Sequence, residues 1–155
     1  MRLLVDSDSC PAKIRSIICK TAKRLKVEAV FVANRPIPVA NNPFCSFIQT
    51  GTESQAADIH ILNTALSGDI VITRDIPLAK ALIDKNILVI NDRGTVYTKE
   101  NINERLSIRN FMYKLQEYGL TLEKTKTFGK KEISDFAQAL DRETTKLIRH
   151  QQNEL

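Results

Sequence analysis

The sequence has little of what disulfide-rich, zinc-binding or membrane-spanning proteins need. It contains three cysteines among its 155 residues, and Cys10, Cys19 and Cys45 form no Cys-x-x-Cys pair. An odd number of cysteines without metal-ligand spacing argues against a disulfide framework and against a zinc site, and is typical of a reducing cytosol. No apolar run approaches the roughly 18 residues that a membrane helix requires. We therefore expect a cytoplasmic protein with no membrane partner.

Histidine is also scarce, which limits the chemistry that side chains alone can perform. The two histidines, His60 and His150, lie on a predicted helix flank and near the end of the chain. Neither is placed to act as a base for Cys10, and Asp6 and Asp8 would raise the pKa of that thiol. The sequence therefore predicts no cysteine or serine nucleophile of the kind that a histidine activates.

What the chain does have is enough apolar sequence for one domain of ordinary size. Hydrophobic residues make up 43% of the sequence, and domains most often contain about 100–150 residues. We expect one domain over residues 1–148 and a frayed polar tail over 149–155. The formal charge of +5 permits a polyanionic partner without requiring one.

Short apolar runs alternate with helical patterns along most of the chain. The predicted strands lie near residues 2–6, 28–33, 44–50, 69–73 and 87–90. Helices are predicted from Pro11, over 53–67 and 76–85, from Asn101 to about Tyr118 after a capping-box pattern, and after a polar connector at 119–129. Apolar strands separated by helices indicate an α/β fold with a central, mainly parallel sheet of four to five strands. Helices cover both faces of such a sheet, and further helices follow at the C-terminal end.

Acidic residues collect at the predicted carboxyl edge of this sheet, which is where open α/β sheets bind ligands. Asp6 and Asp8 end the first strand, Asp75 follows the fourth, and Asp58 begins the helix before it. Carboxylates this close are unfavourable unless one is protonated or a cation lies among them. Oxygen ligands favour Mg²⁺ or Mn²⁺. As an alternative, Asp8 before Pro11 and Asp75 before Pro77 could be ordinary helix caps.

Other polar residues are predicted at the same edge. Thr73 ends the fourth strand and can hydrogen-bond to a carboxylate or a substrate, and Asn34 ends the second strand. Arg93 follows the fifth strand, while Arg105 and Arg109 lie one turn apart on a later helix. Arginine forks match phosphate oxygens, so these residues are candidate substrate contacts. The alternative is that the arginines pair with surface acids such as Glu104 or Asp92.

The runs DSDSCP, VAN, AAD, GDIVITRDIPLA, RG and ENINERLSIRNFMYKL occur in this order. Together they resemble the YaiI/YqxD family of bacterial proteins of unassigned function, over nearly the whole chain to about residue 145. That family is similar to the PIN/NYN-like metal-dependent nucleases, which implies a PIN-like domain. The resemblance places the metal-holding roles on Asp6, Asp58 and Asp75 with Thr73, and Asp8 matches the family's second acid. Arg74 and Asp92 depart from the family pattern.

The resemblance and the acidic edge together predict a divalent-metal-dependent nuclease that acts on RNA rather than DNA. Asp6, Asp8, Asp75 and Thr73 would be catalytic, with Asp58 as a further Mg²⁺ or Mn²⁺ ligand. Two alternatives stay open. One is an RNA-binding module without catalysis that uses the basic first helix, whose cations are Lys13, Arg15, Lys20, Lys23, Arg24 and Lys26. The other is a haloacid-dehalogenase-like phosphatase, which would need a loop where Pro11 instead begins a helix.

Overall fold

The computed structural model describes residues 1–120 and 127–154, and its elements alternate as the sequence predicts. In chain order they are β1 (Arg2–Asp6), α1 (Ala12–Leu25), β2 (Glu28–Ala33), β3 (Cys45–Gln49), α2 (Ala56–Thr64), β4 (Ile70–Ile72), α3 (Ile76–Asp84), β5 (Leu88–Ile90), β6 (Val96–Tyr97), α4 (Lys99–Glu117) and α5 (Lys130–Asn153). The α/β fold predicted from the alternating pattern is confirmed.

The strands form one mixed sheet in the order β3-β2-β1-β4-β5-β6. The pairs from β3 to β5 are all parallel, and β6 alone runs antiparallel, beside β5. The sheet thus has six strands where four to five were expected. Because strand order reverses beside β1, the connections from β1 and from β4 leave the sheet on opposite sides of a crevice.

Both faces of the sheet are covered, which explains why its central strands are apolar without alternation. One face buries Leu3 and Val5 of β1 against Ile14 and Ile18 of α1 and Phe136 of α5. The opposite face carries Leu4 and packs against α2, α3 and the first turn of α4. Because β1, β2, β4 and β5 are parallel, their carboxyl ends lie along one edge of this covered sheet.

Several boundaries differ from the sequence prediction. The helix predicted over 53–67 is shorter at both ends and spans Ala56–Thr64. Helix α4 begins at Lys99, not Asn101, because Thr98 is its N-cap: the Thr98 hydroxyl accepts the Asn101 N–H at 3.1 Å and the Asn101 side chain accepts the Thr98 N–H at 2.8 Å. Helix α5 continues to Asn153, into the residues for which a frayed tail is predicted. Most of the connector predicted at 119–129 lies outside the described residues.

None of the helices in the described part of the chain combines the length and the apolar character that crossing a membrane would demand.

Gly94 fixes the turn after β5 against α5, and we expect alanine there to destabilise the fold. Its φ of +85° is unfavourable for a residue with a side chain, and an added Cβ would lie 2.5 Å from the Asp135 carbonyl oxygen. Gly94→Ala should lower the free energy of unfolding by about 2–4 kcal/mol, measured by urea denaturation. Gly119→Ala is the matched control, because Gly119 has φ +73° and no described atom within 4 Å of its added Cβ. Equal losses in the two variants would mean that α5 shifts to accommodate the methyl group.

Candidate active site

The four aspartates singled out in the sequence line one cavity at the carboxyl edge of β1 and β4. The cavity has a volume of about 360 Å³, and its wall includes Asp6, Asp8, Asp58, Asp75 and Asn34. These residues come from β1 and the turn after it, from the end of β2, from the first turn of α2 and from the residue that caps α3. The fold therefore brings together distant parts of the sequence at the crevice where the strand order reverses.

Thr73 connects two of these carboxylates through a single hydroxyl group. Its Oγ1 donates to Asp6 Oδ2 at 2.8 Å and accepts the Asp75 N–H at 3.0 Å. Asp75 in turn caps α3 by accepting the Leu78 N–H on Oδ1 at 3.0 Å. The expected capping role of Asp75 is thus correct, and its Oδ1 is used for that role. Asp6 is only 7% exposed, so its orientation is fixed by packing and by Thr73 together.

Asp8 connects the ends of β1 and β2. Its Oδ1 accepts the Asn34 N–H at 3.0 Å, and its main-chain oxygen accepts a hydrogen bond from Arg35 at 3.1 Å. The alternative in which Asp8 caps α1 is wrong, because Pro11 occupies the N-cap and no side chain caps that helix. Asp8 is held instead by the neighbouring strand, which orients it toward the cavity that it lines with Asn34.

The crowding of carboxylates changes their protonation. Burial, the Asp6 and Asp75 charges and a hydrogen bond with Asp75 raise the pKa of Asp58 to about 7. Burial also raises the pKa of Asp6, while its hydrogen bond from Thr73 opposes the rise. Near neutral pH Asp58 therefore carries a proton for part of the time and donates it to Asp75. That proton lowers the repulsion between the carboxylates of Asp58 and Asp75, as a bound cation would also do.

This raised pKa predicts how stability depends on pH in the absence of divalent metal. The folded-state pKa of Asp58 lies above its ordinary value of 3.8, so the folded chain binds more protons between these values and its stability falls as pH rises through about 7. In chelator the melting temperature should therefore rise as the pH is lowered from 8 to 6. Asp58→Asn should flatten this rise and be the more stable protein at pH 8. A wild-type curve with the opposite slope would contradict the coupling.

A fifth acid, Asp92, is buried beside the cavity residue Arg74 and is not among the predicted site residues, and it does not itself line the aspartate cavity. It follows β5 and is 5% exposed, and its Oδ2 is the one buried side-chain nitrogen or oxygen within residues 1–120 and 127–154 that has no hydrogen bond. Arg74, on the cavity wall, approaches that oxygen at 3.9 Å through Nε. An acid directly after a buried strand was the signal that identified Asp6 and Asp75, and the same signal marks Asp92.

The donor set matches a hard divalent cation in its chemistry. The four acidic side chains on the cavity wall offer only oxygen atoms as ligands, and oxygen ligands are those that Mg²⁺ and Mn²⁺ prefer. Within the described residues no three histidine, cysteine, aspartate or glutamate side chains are grouped closely enough to hold one ion among them. Mg²⁺ usually keeps several waters and is held by only one or two carboxylates, so a pair of these aspartates would match that requirement.

The predicted substrate contacts separate into two groups. Arg109 lines a smaller cavity of about 190 Å³ that shares Gln55, Asp58 and Asp75 with the aspartate cavity. Arg93 instead lies toward α5, where its guanidinium is 5.3 Å from the Phe128 ring centroid and 3.7 Å from Glu132. Arg105 lies over the Tyr97 ring at 5.9 Å. Asn34 and Arg109 are thus beside the acids, whereas Arg93 and Arg105 contact other partners.

Cys10 lies close to the acids but is not a nucleophile. It is buried, and that burial raises the pKa of its thiol to about 12, with the Asp92 and Asp6 charges adding to the rise. A thiol with this pKa has a negligible thiolate population at neutral pH. The described residues that line the aspartate cavity include no histidine.

Comparison with known proteins points to one family. The family model described as "Uncharacterized BCR, YaiI/YqxD family" matches residues 4–146. The chain is 56% identical to a UPF0178 protein of Treponema pallidum over 96% of this chain and 84% of that protein. It is 46% identical to a UPF0178 protein of Syntrophobacter fumaroxidans over 99% and 100% of the two chains. No solved structure matches.

Proposed function

The chain belongs to the YaiI/YqxD family, and from its aspartate cavity we propose that it is a divalent-metal-dependent nuclease of the PIN/NYN-like type, acting on RNA. The observation that carries the proposal is the convergence of Asp6, Asp8, Asp58 and Asp75 on one open cavity. The names of the relatives state neither a reaction nor a substrate, so both the reaction class and the RNA substrate belong to this proposal.

The aspartate cluster is unfavourable for the fold alone. Carboxylates that raise one another's pKa reduce the stability of the native state at neutral pH, and several parts of the chain contribute them. Perturbed carboxyl groups in a cleft are typical of functional sites, where a cation or substrate relieves the repulsion. The net charge of +5 in spite of this acidic cavity means that basic residues dominate the rest of the surface, which favours an anionic partner.

Pairs drawn from Asp6, Asp8, Asp58 and Asp75 would hold Mg²⁺ or Mn²⁺ in this cavity. When bound, such ions balance the charge that develops on the pentacovalent phosphorus and make water a better nucleophile at neutral pH. The chain's own residues supply the alignment. Thr73 fixes the Asp6 carboxylate relative to the start of α3, and the Asn34 N–H fixes Asp8.

The remaining polar groups define where a phosphodiester would lie. Arg74 is on the wall of the aspartate cavity, and Arg109 lines the smaller cavity beside it. Phosphates on either side of the scissile bond could therefore each meet a guanidinium. Since no histidine or cysteine lies on the described wall of the cavity, we assign the attacking oxygen to water. The reaction would be hydrolysis, with one P–O bond formed to water and one P–O bond broken to the leaving strand.

The two other readings of the sequence have less support. A phosphatase of the haloacid-dehalogenase type needs a loop after the second acid, but α1 begins at Ala12 directly after the Pro11 cap. The basic helix α1 uses part of its charge internally, because Arg24 pairs with Asp141 at 3.2 Å and Arg15 donates to the Cys10 carbonyl at 2.6 Å. An RNA-binding module without catalysis would also give no reason for the aspartate cavity.

The test is a cleavage assay with purified protein and end-labelled single-stranded RNA, single-stranded DNA and duplexes of the same sequence. We expect cleavage of single-stranded RNA with Mn²⁺ or Mg²⁺ and none in chelator. Asp84→Asn is the matched control for acid substitutions, because Asp84 is an exposed aspartate at the other end of α3 from Asp75. Absence of cleavage for every substrate and metal, or cleavage that chelator leaves unchanged, would contradict the proposal.

A further inference from the structure

Helix α4 runs antiparallel to α3 and continues past its first residue. Lys80, in the middle of α3, donates to the Asn103 side chain at 3.1 Å. Arg109 lies further along α4 and lines a cavity with Asp75 and Pro77, at the start of α3. One more helical turn brings α4 to Tyr113, beyond the start of α3 and on the side of the sheet where the aspartates lie.

A groove leads from the aspartates to this part of α4. Gln55, Asp58 and Asp75 line both the aspartate cavity and the smaller cavity beside it, so the two adjoin at these residues and together are called the groove. The floor of the smaller cavity is mostly apolar and is formed by Ile59, Leu62, Pro77, Leu78 and Ala81, and Arg109 is its one cationic lining residue among those described. The groove is thus acidic at one end and basic at the other.

Half-buried Arg109 and exposed Tyr113 form a pair at the basic end. The Arg109 guanidinium carbon lies 4.3 Å from the centroid of the Tyr113 ring, which is cation–π distance. Tyr113 is 49% exposed, so a large part of it remains in contact with solvent. A guanidinium against an aromatic ring offers a charge for a phosphate and a flat face for a base, the combination that sequence-tolerant single-strand binders use.

We propose that Arg109 and Tyr113 are a subsite for one nucleotide of single-stranded nucleic acid, with its base on Tyr113 and its phosphate on Arg109. This inference rests on the proposed function, because the scissile phosphate would lie at the aspartates and the strand would follow the groove. The subsite selects single strands, since the bases of a duplex are already stacked on one another and paired, and cannot turn onto a tyrosine ring without being unstacked.

The position of the pair on α4 favours a nucleic acid over a second copy of the chain. Arg109 and Tyr113 follow Ile102 by seven and eleven residues, so they continue the helix face that packs on α3 and borders the groove. The exposed apolar side chains of α4 that would suit self-association lie on another face, and these are Ile108, Phe111 and Met112. Of these two faces of α4, the face that carries Arg109 is the one that borders the groove to the aspartates.

The test is binding of a short fluorescein-labelled single-stranded RNA in chelator, measured by fluorescence anisotropy. Base–aromatic stacking contributes about 1–3 kcal/mol per base, so Tyr113→Ala should weaken binding about 5- to 150-fold. Tyr113→Phe keeps the ring and should bind like wild type. Tyr118→Ala is the matched control, because Tyr118 is 80% exposed at the C-cap of the same helix and is not a lining residue of the groove. The corresponding duplex should bind more weakly to wild type and be insensitive to Tyr113→Ala.

The outcomes separate the subsite from the nuclease. If Tyr113→Ala weakens binding but wild type cleaves no substrate, the subsite stands and the nuclease proposal fails. If wild type cleaves RNA and Tyr113→Ala has the same KM and affinity as Tyr118→Ala, the nuclease stands and the subsite is wrong. Conversion of a dimer into a monomer by Tyr113→Ala in size-exclusion chromatography would overturn the subsite in favour of self-association.

Discussion

Asp6→Asn is expected to lower the turnover of single-stranded RNA by at least 10²–10³-fold, the usual range for losing one preorganised electrostatic contact in a transition state. Asp6 is the most buried of the four cavity aspartates and lies on a central strand, so no flexible neighbour can replace it. Asparagine keeps the shape and can still accept the hydrogen bond from Thr73. The variant therefore removes charge and leaves the fold in place, which circular dichroism can verify.

Arg109→Ala gives the contrasting result in the same assay. Arg109 lies at the far end of the groove from Asp6 and would contact a phosphate that does not react, so its loss should raise KM and change kcat little. Asp84→Asn should match wild type in both constants. An Asp6→Asn protein that cleaves at the wild-type rate would show that the activity belongs to a contaminant or to another site. If neither protein cleaves but both bind RNA equally, the binding-module alternative is favoured.

Divalent metal is expected to raise the melting temperature of the wild-type protein by about 5–10 °C when its concentration is one hundred times the dissociation constant. Binding to the native state alone contributes about 2.7 kcal/mol at that ratio, and each kcal/mol shifts the midpoint by about 2–4 °C for a chain of this length. The double substitution Asp6→Asn with Asp75→Asn should abolish the response. Asparagine caps helices nearly as well as aspartate, so α3 keeps its N-cap at residue 75.

The sign of the effect without metal is the sharper part of this prediction. In chelator at pH 8 the double variant should melt above wild type, because it removes two of the charges that raise the pKa of Asp58. Differential scanning fluorimetry with Mg²⁺, with Mn²⁺ and with chelator would measure both signs, and Asp84→Asn provides the reference. A double variant that gains as much stability from metal as wild type would place the metal site elsewhere.

Much of this fold could be predicted because its strands are buried on both faces. The apolar runs that became β1, β2, β4 and β5 have no other stable placement in a chain of this composition. Strand β6 has only two residues, which is too short for any periodicity to show. The start of α4 was misplaced because Asn101 and Thr98 both fit a capping pattern. Thr98 is the cap because Tyr97, the residue before it, and Ile102, in the first turn of the helix, pack together in the same buried core.

The convergence of the aspartates followed from the topology, whereas the directions of side chains in turns did not. Parallel strands bring their carboxyl ends to one edge, so Asp6 and Asp75 had to be neighbours. After β5 the chain turns at Asp92 and Arg93, and nothing in the spacing tells which of the two side chains is buried near Arg74 and which lies toward α5. The structure buries Asp92 near Arg74 and places Arg93 against Phe128 of the segment before α5.

The strand order also has a kinetic meaning. Asp8 and Asn34 are 26 residues apart in sequence, whereas the hydrogen bond between Thr73 and Asp6 closes 67 residues. Contacts between distant residues form late in folding because closing a long loop is entropically unfavourable. We therefore expect the β1–β2 pair to assemble first, and Asp6 and Asp75 to come together only when the longer loop closes. Their repulsion would then arise at a late step, when the core on both faces of the sheet can outweigh it.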